Sequence, residues 1–283
     1  MAETKMNVQL LAHTQLSDKF YRSLDHGKYD AILERCDGNH FDDYEATDGQ
    51  AVALSAIRTC YSPTKPSEIV AKEGAKYFGS KASDGGEGTD ADRLFRQIVA
   101  SKHTSTLEHL TFTFAIEGVS RALLAQLTRH RAGFSFSVQS QRYVRLGSGD
   151  RSGGFDYVVP EKVANSTYED NNDFFDPENG HTTETYSPQI AFSNAMEYLQ
   201  DVYDDLREMG VPAEDARAVL PQAAATNLVM TVNLRALLDF YAKRRKGNGA
   251  QAEIADLAEA LRRAVTEVEP WTAQFFEGVS ASV

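Results

Sequence analysis

Apolar and polar residues alternate along parts of the chain in the manner of β-strands. Every second residue from Leu110 to Ile116 is a large apolar one, which predicts a half-buried strand that Gly118 ends. Residues 7–13 predict an edge strand. A third strand is expected where the few apolar residues of a polar stretch gather, namely Phe155, Tyr157, Val158 and Val159.

Apolar residues recur at every third or fourth position in other stretches, which is the spacing of an amphipathic helix. The longest such stretch covers residues 189–209 and is expected to stop at Gly210. Ser120 is placed to cap a helix that runs to Leu127, and Pro212 to begin a short helix. The remaining helices are predicted at 50–61, 92–100, 226–245 and 251–268, the last two separated by a turn at 246–249.

These elements indicate an α+β fold with a central, mostly antiparallel sheet flanked by long helices. With 42% hydrophobic residues the chain can build a large core, and no Pro- or Ser-rich linker divides it. We therefore expect residues 1–283 to form a single domain. Residues 147–188 are rich in Gly, Asn, Asp, Glu, Ser and Thr, and we expect most of them to form an exposed polar insertion.

The formal net charge of −12 disfavours binding to nucleic acids or to anionic membranes, since both need a broad basic surface. No run approaches the roughly 18 apolar residues of a membrane span, and the N-terminus lacks the apolar segment of a signal peptide. A cytoplasmic protein is expected. The two cysteines, Cys36 and Cys60, form no CxxC pair, so neither a disulfide framework nor a cysteine-built zinc site is expected.

Against this acidic background, residues 129–142 concentrate cations and hydroxyl groups. The stretch begins with Arg-His-Arg at 129–131 and ends with Ser-Gln-Arg at 140–142, with eight residues between. Guanidinium forks and hydroxyls are donors that suit a phosphate or a carboxylate. The plainer alternative is a solvated basic face whose charges form incidental salt bridges.

A second candidate is the stretch His-Thr-Ser-Thr-Leu-Glu-His at 103–109. Its spacing differs from HExxH and HxxEH, which set two imidazoles on one helical face, so we expect no metal site. A structural role for His109 is the alternative to a ligand role. A metal-dependent nucleotide phosphohydrolase that uses His103, Glu108, His109 and His130 stays open as an alternative function.

The arginine-rich stretch resembles the signature of the flavin-dependent thymidylate synthases, in which Arg-His-Arg is followed after seven or eight residues by Ser-x-Arg. Residues 103–109, 215–221 and 231–235 also resemble blocks of that family, in the same order. The resemblance implies FAD-dependent methylation of dUMP to dTMP, with methylenetetrahydrofolate as the carbon donor and NADPH as the reductant. It also implies a homotetramer with active sites at subunit interfaces.

The resemblance further implies that the protein supplies no covalent nucleophile. Cysteine-dependent thymidylate synthases use a thiol that is followed by histidine, whereas here Cys36 precedes Asp37 and Cys60 precedes Tyr61. Arg244 matches the family arginine that binds the uracil edge and favours ionisation at N3, so it is the expected catalytic residue. The alternative for Arg244 is a charge run at a helix end.

The remaining roles also follow from the resemblance. The positions expected to bind the flavin are His103, Ser105, Glu108, Arg129, His130, Arg131, Asn233, Arg235 and Asp239. The positions expected to bind dUMP are Gln126, Leu127, Thr128, Arg129, Val138, Gln139, Ser140, Gln141, Arg142, Arg217 and Arg244. For Arg217 the alternative is a surface pairing with Glu214 or Asp215.

Several positions depart from the family pattern. Val138 stands where a polar or acidic side chain is common, and Asp239 where an Asn is familiar. The turn at 247–249 lacks a histidine that is common there. These departures leave open another alternative, a nucleotide-binding or regulatory module that kept its phosphate contacts without flavin chemistry.

Overall fold

The computed structural model describes residues 1–24, 46–176 and 180–277, so Cys36 lies outside the described residues. The strands are β1 (Asn7–His13), β2 (Thr111–Ser120), β3 (Phe134–Val138), β4 (Asp170–Asp176), β5 (Gly180–Tyr186) and β6 (Ala225–Asn233). The helices are α1 (Asp18–Tyr21), α2 (Asp48–Tyr61), α3 (Ile69–Phe78), α4 (Asp90–Ala100), α5 (Arg121–Leu127), α6 (Glu161–Ala164), α7 (Pro188–Glu208), α8 (Ala213–Ala216), α9 (Leu234–Arg244), α10 (Ala252–Val268) and α11 (Ala273–Glu277). Short 3₁₀ helices lie at Pro66–Glu68, Thr104–His109, Arg217–Val219 and Pro270–Thr272.

Strands β1, β2, β6 and β3 lie side by side in that order and form an antiparallel sheet. On one face the alternate residues of β2 and β6 are buried, namely Phe112, Phe114, Ile116, Leu228, Met230 and Val232. The other face carries small and polar side chains, among them Thr113 and Thr231, whose hydroxyl oxygens are 2.9 Å apart. The α+β class with a central antiparallel sheet is confirmed, and residues 7–13 form its edge as predicted.

Helices cover the buried face of the sheet. Apolar residues of α2, α4, α9 and α10 pack with the sheet into one hydrophobic cluster, including Leu54, Ile57, Phe95, Leu237, Phe240, Leu257 and Leu261. Fully burying such a side chain stabilises the fold by about 1.5–3 kcal/mol, so this cluster fixes the sheet and its helices as one unit. The helices predicted at 50–61, 92–100, 189–209 and 251–268 are confirmed with small shifts at their ends.

The helix predicted at 226–245 is wrong in its first half. Residues Ala225–Asn233 form β6, and α9 begins only at Leu234. β6 lies between β2 and β3, so hydrogen bonds on both of its edges hold it extended, and its β-branched residues Thr226, Val229, Thr231 and Val232 suit a strand. Asn233 then caps α9, because its side-chain oxygen accepts a hydrogen bond from the backbone N–H of Ala236 at 2.9 Å.

The strand predicted to end at Gly118 continues as β2 to Ser120. Gly118 has a φ of +65° and lies at a shift in the β2–β6 register. A Cβ atom there would lie 2.5 Å from the backbone oxygen of Lys5. Glycine at this position therefore permits a bulge and a close backbone approach rather than terminating the strand.

The polar insertion contains structure that the sequence analysis did not predict. β4 and β5 form an antiparallel hairpin in which Asp170 pairs with Tyr186. The strand expected at 155–159 is wrong, since Tyr157 forms only isolated bridges, to Glu3 and Ala224. Within the described ranges, no helix is long and apolar enough to cross a membrane.

Candidate active site

The short helix α5 carries the chain from the sheet to the arginine-rich stretch. Ser120 caps this helix as predicted, because its hydroxyl accepts a hydrogen bond from the N–H of Leu123 at 3.0 Å. Glu253 of α10 holds the cap in place by accepting from the Ser120 N–H at 2.7 Å and from its hydroxyl at 2.6 Å. The Arg-His-Arg sequence at 129–131 follows directly after the C-terminal end of α5.

Three segments meet at this end of the sheet, and we name them together site A (residues 103–109, 129–133 and 233–244). The N–H of Asn233 donates to the backbone oxygen of Gly133 at 3.1 Å. Arg235 Nη1 lies 2.5 Å from Glu108 Oε1. Gly133 has a φ of +77°, and a Cβ atom there would lie 2.6 Å from the Cβ of Ala236, so glycine is what lets the turn approach α9.

His130 and Arg244 contact each other within site A. Arg244 Nε donates to His130 Nε2 at 3.2 Å, which assigns the proton of the neutral imidazole to Nδ1. The imidazole packs edge-on against Phe240 with ring centroids 5.0 Å apart. Burial, followed by the charge of Arg244, lowers the pKa of His130. A neutral His130 therefore holds the arginine at the end of α9.

The other polar residues of site A differ in whether their side chains have partners within the protein. Arg129 and Arg131 are exposed, and their side chains have no hydrogen-bond or ion-pair partner among the residues that the structure describes. Asp239 is exposed and pairs with Lys243 at 2.8 Å. The Ser105 side chain is also exposed. Two guanidinium groups without partners can bind an anion at the surface of site A.

His103 has a partner that the sequence analysis missed. Its Nδ1 lies 2.8 Å from the hydroxyl oxygen of Tyr61, and the two rings meet edge to face with centroids 5.9 Å apart. Tyr61 is the last residue of α2 and is 57% exposed. No motif includes Tyr61, because only the packing of α2 against the 3₁₀ helix Thr104–His109 brings it to the site.

β3 leads away from site A to a second set of predicted site residues. Val138, the last residue of β3, is half-buried and pairs with Leu228. The N–H of Gln139 donates to the backbone oxygen of Asn227 at 2.9 Å. The Ser140 hydroxyl accepts from the N–H of Arg142 at 3.2 Å and keeps its own proton for donation. Strand pairing therefore fixes the backbone just before the Ser-Gln-Arg sequence, in which the Gln is half-buried.

Arginines gather around Glu214 next to these residues, and we name the set site B (residues 138–142 and 214–217). Arg142 Nε donates to Glu214 Oε2 at 2.9 Å. Arg217 Nε donates to the backbone oxygen of Glu214 at 3.0 Å. Burial, followed by the charge of Arg217, lowers the pKa of nearby Arg121. The pairing of Arg217 with Glu214 thus occurs through the backbone and not through the carboxylate.

Sites A and B lie at opposite ends of β3 within one chain. The four steps between its five residues rise roughly 3.4 Å each, so the ends of β3 are about 14 Å apart. α5 runs between the same two regions, with Arg121 at its start near site B and Arg129 just past its end in site A. The positions expected to bind dUMP are therefore divided, with 126–129 and Arg244 on one side and 138–142 and Arg217 on the other.

The end of α5 limits how its residues can contact dUMP. The side chain of Leu127 is fully buried in the hydrophobic core, so only its backbone can face a ligand. The Thr128 hydroxyl donates to the backbone oxygen of Leu124 at 2.9 Å. Gln126 Nε2 donates to Gln251 Oε1 at 2.5 Å. The Thr128 hydroxyl proton and one Gln126 amide proton are therefore already used within the protein and are not free to bind a ligand.

The side chains that would hold a metal in a phosphohydrolase do not assemble in the described part of the chain. No group of three or more His, Cys, Asp or Glu side chains that could hold a metal is found there. Glu108 pairs with Arg235, and His130 accepts from Arg244.

Cys60 is exposed near the end of α2, with its Sγ 3.7 Å from the backbone oxygen of Ala56.

Comparison with known proteins decides the family. The model of the thymidylate synthase complementing protein family matches residues 44–271. The chain belongs to this family. Among its relatives, the flavin-dependent thymidylate synthase of Geobacter sulfurreducens is 38% identical over 223 residues, which cover 79% of this chain and 80% of that protein. The flavin-dependent thymidylate synthase of Clostridium tetani is 33% identical over 223 residues, covering 78% and 79%.

Solved structures show the same fold. The crystal structure of the UMP/dUMP methylase PolB from Streptomyces cacaoi, bound with 5-Br dUMP, superposes with a TM-score of 0.64 over 99% of both chains. The sequences of the two proteins are only 18% identical, so this likeness concerns the fold alone. The resemblance found in the sequence is confirmed by the family match and by the identity to flavin-dependent thymidylate synthases.

Proposed function

We propose that this chain functions as a flavin-dependent thymidylate synthase. It methylates dUMP to dTMP with methylenetetrahydrofolate as the carbon donor and NADPH as the reductant. The observation that carries the proposal is the gathering of the family's arginines into two exposed sites, in a chain that is 38% identical to a flavin-dependent thymidylate synthase. A single domain and a cytoplasmic location remain predictions from the sequence.

FAD suits the donor set of site A. Its pyrophosphate is anionic, and exposed Arg129 and Arg131 have no other partner in the described part of the chain. Asn233 can offer its amide nitrogen, since its side-chain oxygen caps α9. We assign FAD binding to these residues and to His103, Ser105, Glu108, His130, Arg235 and Asp239. When bound, the flavin supplies the hydride that completes the methyl group.

The 5′-phosphate of dUMP suits site B. Arg142 and Arg217 each use Nε for a contact within the protein, and their terminal nitrogens have no partner among the described residues. Ser140 adds a hydroxyl that can donate. Guanidinium groups bind phosphate through short, charge-assisted hydrogen bonds, often two at a time. Site B therefore offers a dianion the strongest class of hydrogen bond that side chains make.

Arg244 is assigned the activation of the uracil ring. It is half-buried, and neutral His130 accepts from its Nε and thereby fixes the plane of the guanidinium. A planar cation held in this way stabilises the negative charge that develops when uracil loses its N3 proton. The ionised ring is electron-rich at the carbon that attacks the methylene donor. Cys60 is not required, because this route forms no bond between the pyrimidine and the protein.

The separation of sites A and B supports active sites at subunit interfaces. dUMP is one small ligand, yet Arg244 and Arg142 lie at opposite ends of β3 in a single chain. A second copy that sets its site B against site A would bring uracil-binding and phosphate-binding groups together. We therefore propose a homotetramer whose active sites combine residues of different chains.

Subunit mixing tests this assembly. Arg244→Ala, expected to be inactive, and Arg142→Ala, expected to bind dUMP weakly, are co-expressed with different tags, and the mixed oligomers are assayed at a dUMP concentration too low to saturate Arg142→Ala. If one site uses Arg244 of one chain and Arg142 of another, some sites in the mixture contain both and dTMP formation returns. Mixed oligomers as inactive as either parent would place both residues in the same chain.

Flavin binding and turnover test the function itself. The purified protein should show the visible absorption of bound flavin and form dTMP from dUMP when methylenetetrahydrofolate and NADPH are supplied. Arg131→Ala should lower the ratio of flavin to protein, whereas Arg244→Ala should abolish dTMP formation. Arg245→Ala is the matched control, because it removes the neighbouring cation of the same charge run. Stoichiometric dUMP binding without flavin or dTMP would identify a nucleotide-binding module instead.

A further inference from the structure

Glu214 accepts a hydrogen bond from the Nε of each of the two arginines of site B. Arg142 donates through Nε to the Glu214 carboxylate at 2.9 Å, and Arg217 donates through Nε to the Glu214 backbone oxygen at 3.0 Å. Glu214 lies in the short helix α8, which ends one residue before Arg217. One residue thus contacts two guanidinium groups that come from distant parts of the chain.

The choice of Nε has a chemical consequence. A guanidinium group has one Nε–H and two terminal NH₂ groups, and phosphate is gripped most strongly by two parallel N–H groups. An arginine held at Nε cannot rotate freely about its last side-chain bonds, yet its terminal NH₂ groups stay available. In the described part of the chain these groups of Arg142 and Arg217 have no hydrogen-bond partner.

Exposure indicates that the ion pair serves orientation more than stability. The side chains of Arg142 and Glu214 are 54% and 47% exposed. An ion pair this open contributes little to folding, because solvent screens its charges and ordering two long side chains costs entropy. That ordering favours ligand binding, because a side chain that is already ordered loses little further entropy when the ligand binds.

Charge gives a second reason for a carboxylate at this position. Arg121 is a third cation close to Arg142 and Arg217. Burial lowers the pKa of Arg121, and the nearby charge of Arg217 lowers it further. Like charges repel and favour conformations in which the arginines point away from one another. The Glu214 carboxylate, which accepts from Arg142 Nε, offsets part of the positive charge of site B before any phosphate is present.

We propose that Glu214 is a positioning residue that orients Arg142, and through its backbone Arg217, for the phosphate of the nucleotide substrate. The inference rests on the proposed function, since it takes dUMP as the ligand of site B. It adds a residue that lies outside the predicted site positions and that bonds the arginines rather than the ligand. Glu214 therefore acts through Arg142, and its effect should depend on the presence of Arg142.

Binding measurements on the full-length, FAD-loaded protein test the proposal. Ordering one long side chain costs binding about as much as a three- to tenfold change in Kd, so Glu214→Ala should weaken dUMP by about tenfold. Glu214→Gln keeps an oxygen that can accept from Arg142 Nε, and it should bind dUMP within about threefold of the wild type. Deoxyuridine, which lacks the phosphate, should bind Glu214→Ala as it binds the wild type.

Double variants test whether Glu214 acts through Arg142. Once Arg142→Ala is made, adding Glu214→Ala should cause almost no further loss, because the group being oriented is gone. In Arg217→Ala, adding Glu214→Ala should still cause about a tenfold loss, because Arg142, the group that the Glu214 carboxylate orients, is still present. Glu208→Ala is the control, because it removes an exposed carboxylate at the end of α7, outside site B, and it should change the Kd of dUMP by less than about twofold.

The outcomes separate this inference from the proposed function. If Glu214→Ala binds dUMP as tightly as the wild type or more tightly, or if the losses of Arg142→Ala and Glu214→Ala add, Glu214 does not position Arg142. An equal loss of deoxyuridine binding would also overturn the proposal, because the effect would not come from the phosphate. A wild-type protein that fails to bind dUMP at all would instead refute the proposed function.

Discussion

Protonation of His130 should release Arg244, and the effect on stability has a defined sign. His130 Nε2 accepts from Arg244 Nε at 3.2 Å, whereas a protonated ring is a donor at that nitrogen and carries the same charge as arginine. Burial, followed by the charge of Arg244, lowers the pKa of His130 in the fold. Between that lowered pKa and about 6.5 the unfolded chain binds more protons, so this contribution to stability is complete above pH 6.5 and is lost as the pH falls through the window.

The magnitude follows from the contacts of His130. A hydrogen bond to a charged group contributes about 1.5–3 kcal/mol, and partial exposure places this one at the lower end, about 1.5 kcal/mol. The edge-on contact with Phe240 adds about 0.5–1.5 kcal/mol that does not depend on protonation. His130→Ala should therefore be less stable than the wild type by about 2–3 kcal/mol at about pH 8. Below the lowered pKa of His130 the bond to Arg244 is lost in the wild type, so the difference should shrink, by at most about 1.5 kcal/mol or roughly 3–6 °C in Tm.

Thermal unfolding of both proteins across this pH range measures the difference. His109→Ala is the control, since His109 is exposed and no partner of its side chain is found among the described residues. A Tm difference between His130→Ala and the wild type that stays constant with pH would refute the reasoning, because the contact with Arg244 would then survive protonation.

The remaining predictions concern binding and turnover. Arg142→Ala and Arg217→Ala should each weaken dUMP by about 1.5–3 kcal/mol in calorimetric titration, and unchanged affinity in both would move the nucleotide site elsewhere. Arg244→Lys keeps the charge but loses the planar fork, so it should lower dTMP formation more than NADPH oxidation by the bound flavin; equal losses would indicate damage to folding or to flavin binding. The double variant Cys36→Ala, Cys60→Ala should still form dTMP, and an FAD-loaded double variant that oxidises NADPH without forming dTMP would make a thiol catalytic.

Elements with one dominant periodicity could be predicted from the sequence. α7 and α10 are long amphipathic helices, β2 alternates clearly, and α5 begins at a recognisable cap. β6 was missed because its apolar residues run on into those of α9 without a turn between them. Whether this segment forms a strand or a helix is decided by its pairing with β2 and β3, and β2 and β3 are distant from it in sequence. Gly118 was misjudged for a related reason, since only the approach of Lys5 gives it a role inside the strand.

In the candidate site, too, some residues could be predicted from the sequence and others could not. The arginines were predictable because they form a pattern along the chain, but the residues that hold them do not. Arg142 and Glu214 are 72 residues apart, Arg244 and His130 are 114 apart, and Arg235 and Glu108 are 127 apart. A pattern within one segment cannot show which side chain of another segment will bond it. The orientation of the cations is therefore a property of the fold.

The acidic surface and the local arginines together favour small anions over long ones. A net charge of −12 repels anions at long range, and salt screens that repulsion beyond about 8–10 Å. Hydrogen bonds from arginine act only at contact. They favour binding of a ligand whose charge is compact enough to contact both Arg142 and Arg217 at site B. A nucleic acid strand would have to bring many further phosphates against acidic surface, including Glu197, Asp201 and Asp205 on the exposed side of α7. A monophosphate avoids that cost, so the same charge distribution that disfavours polynucleotides permits a nucleotide.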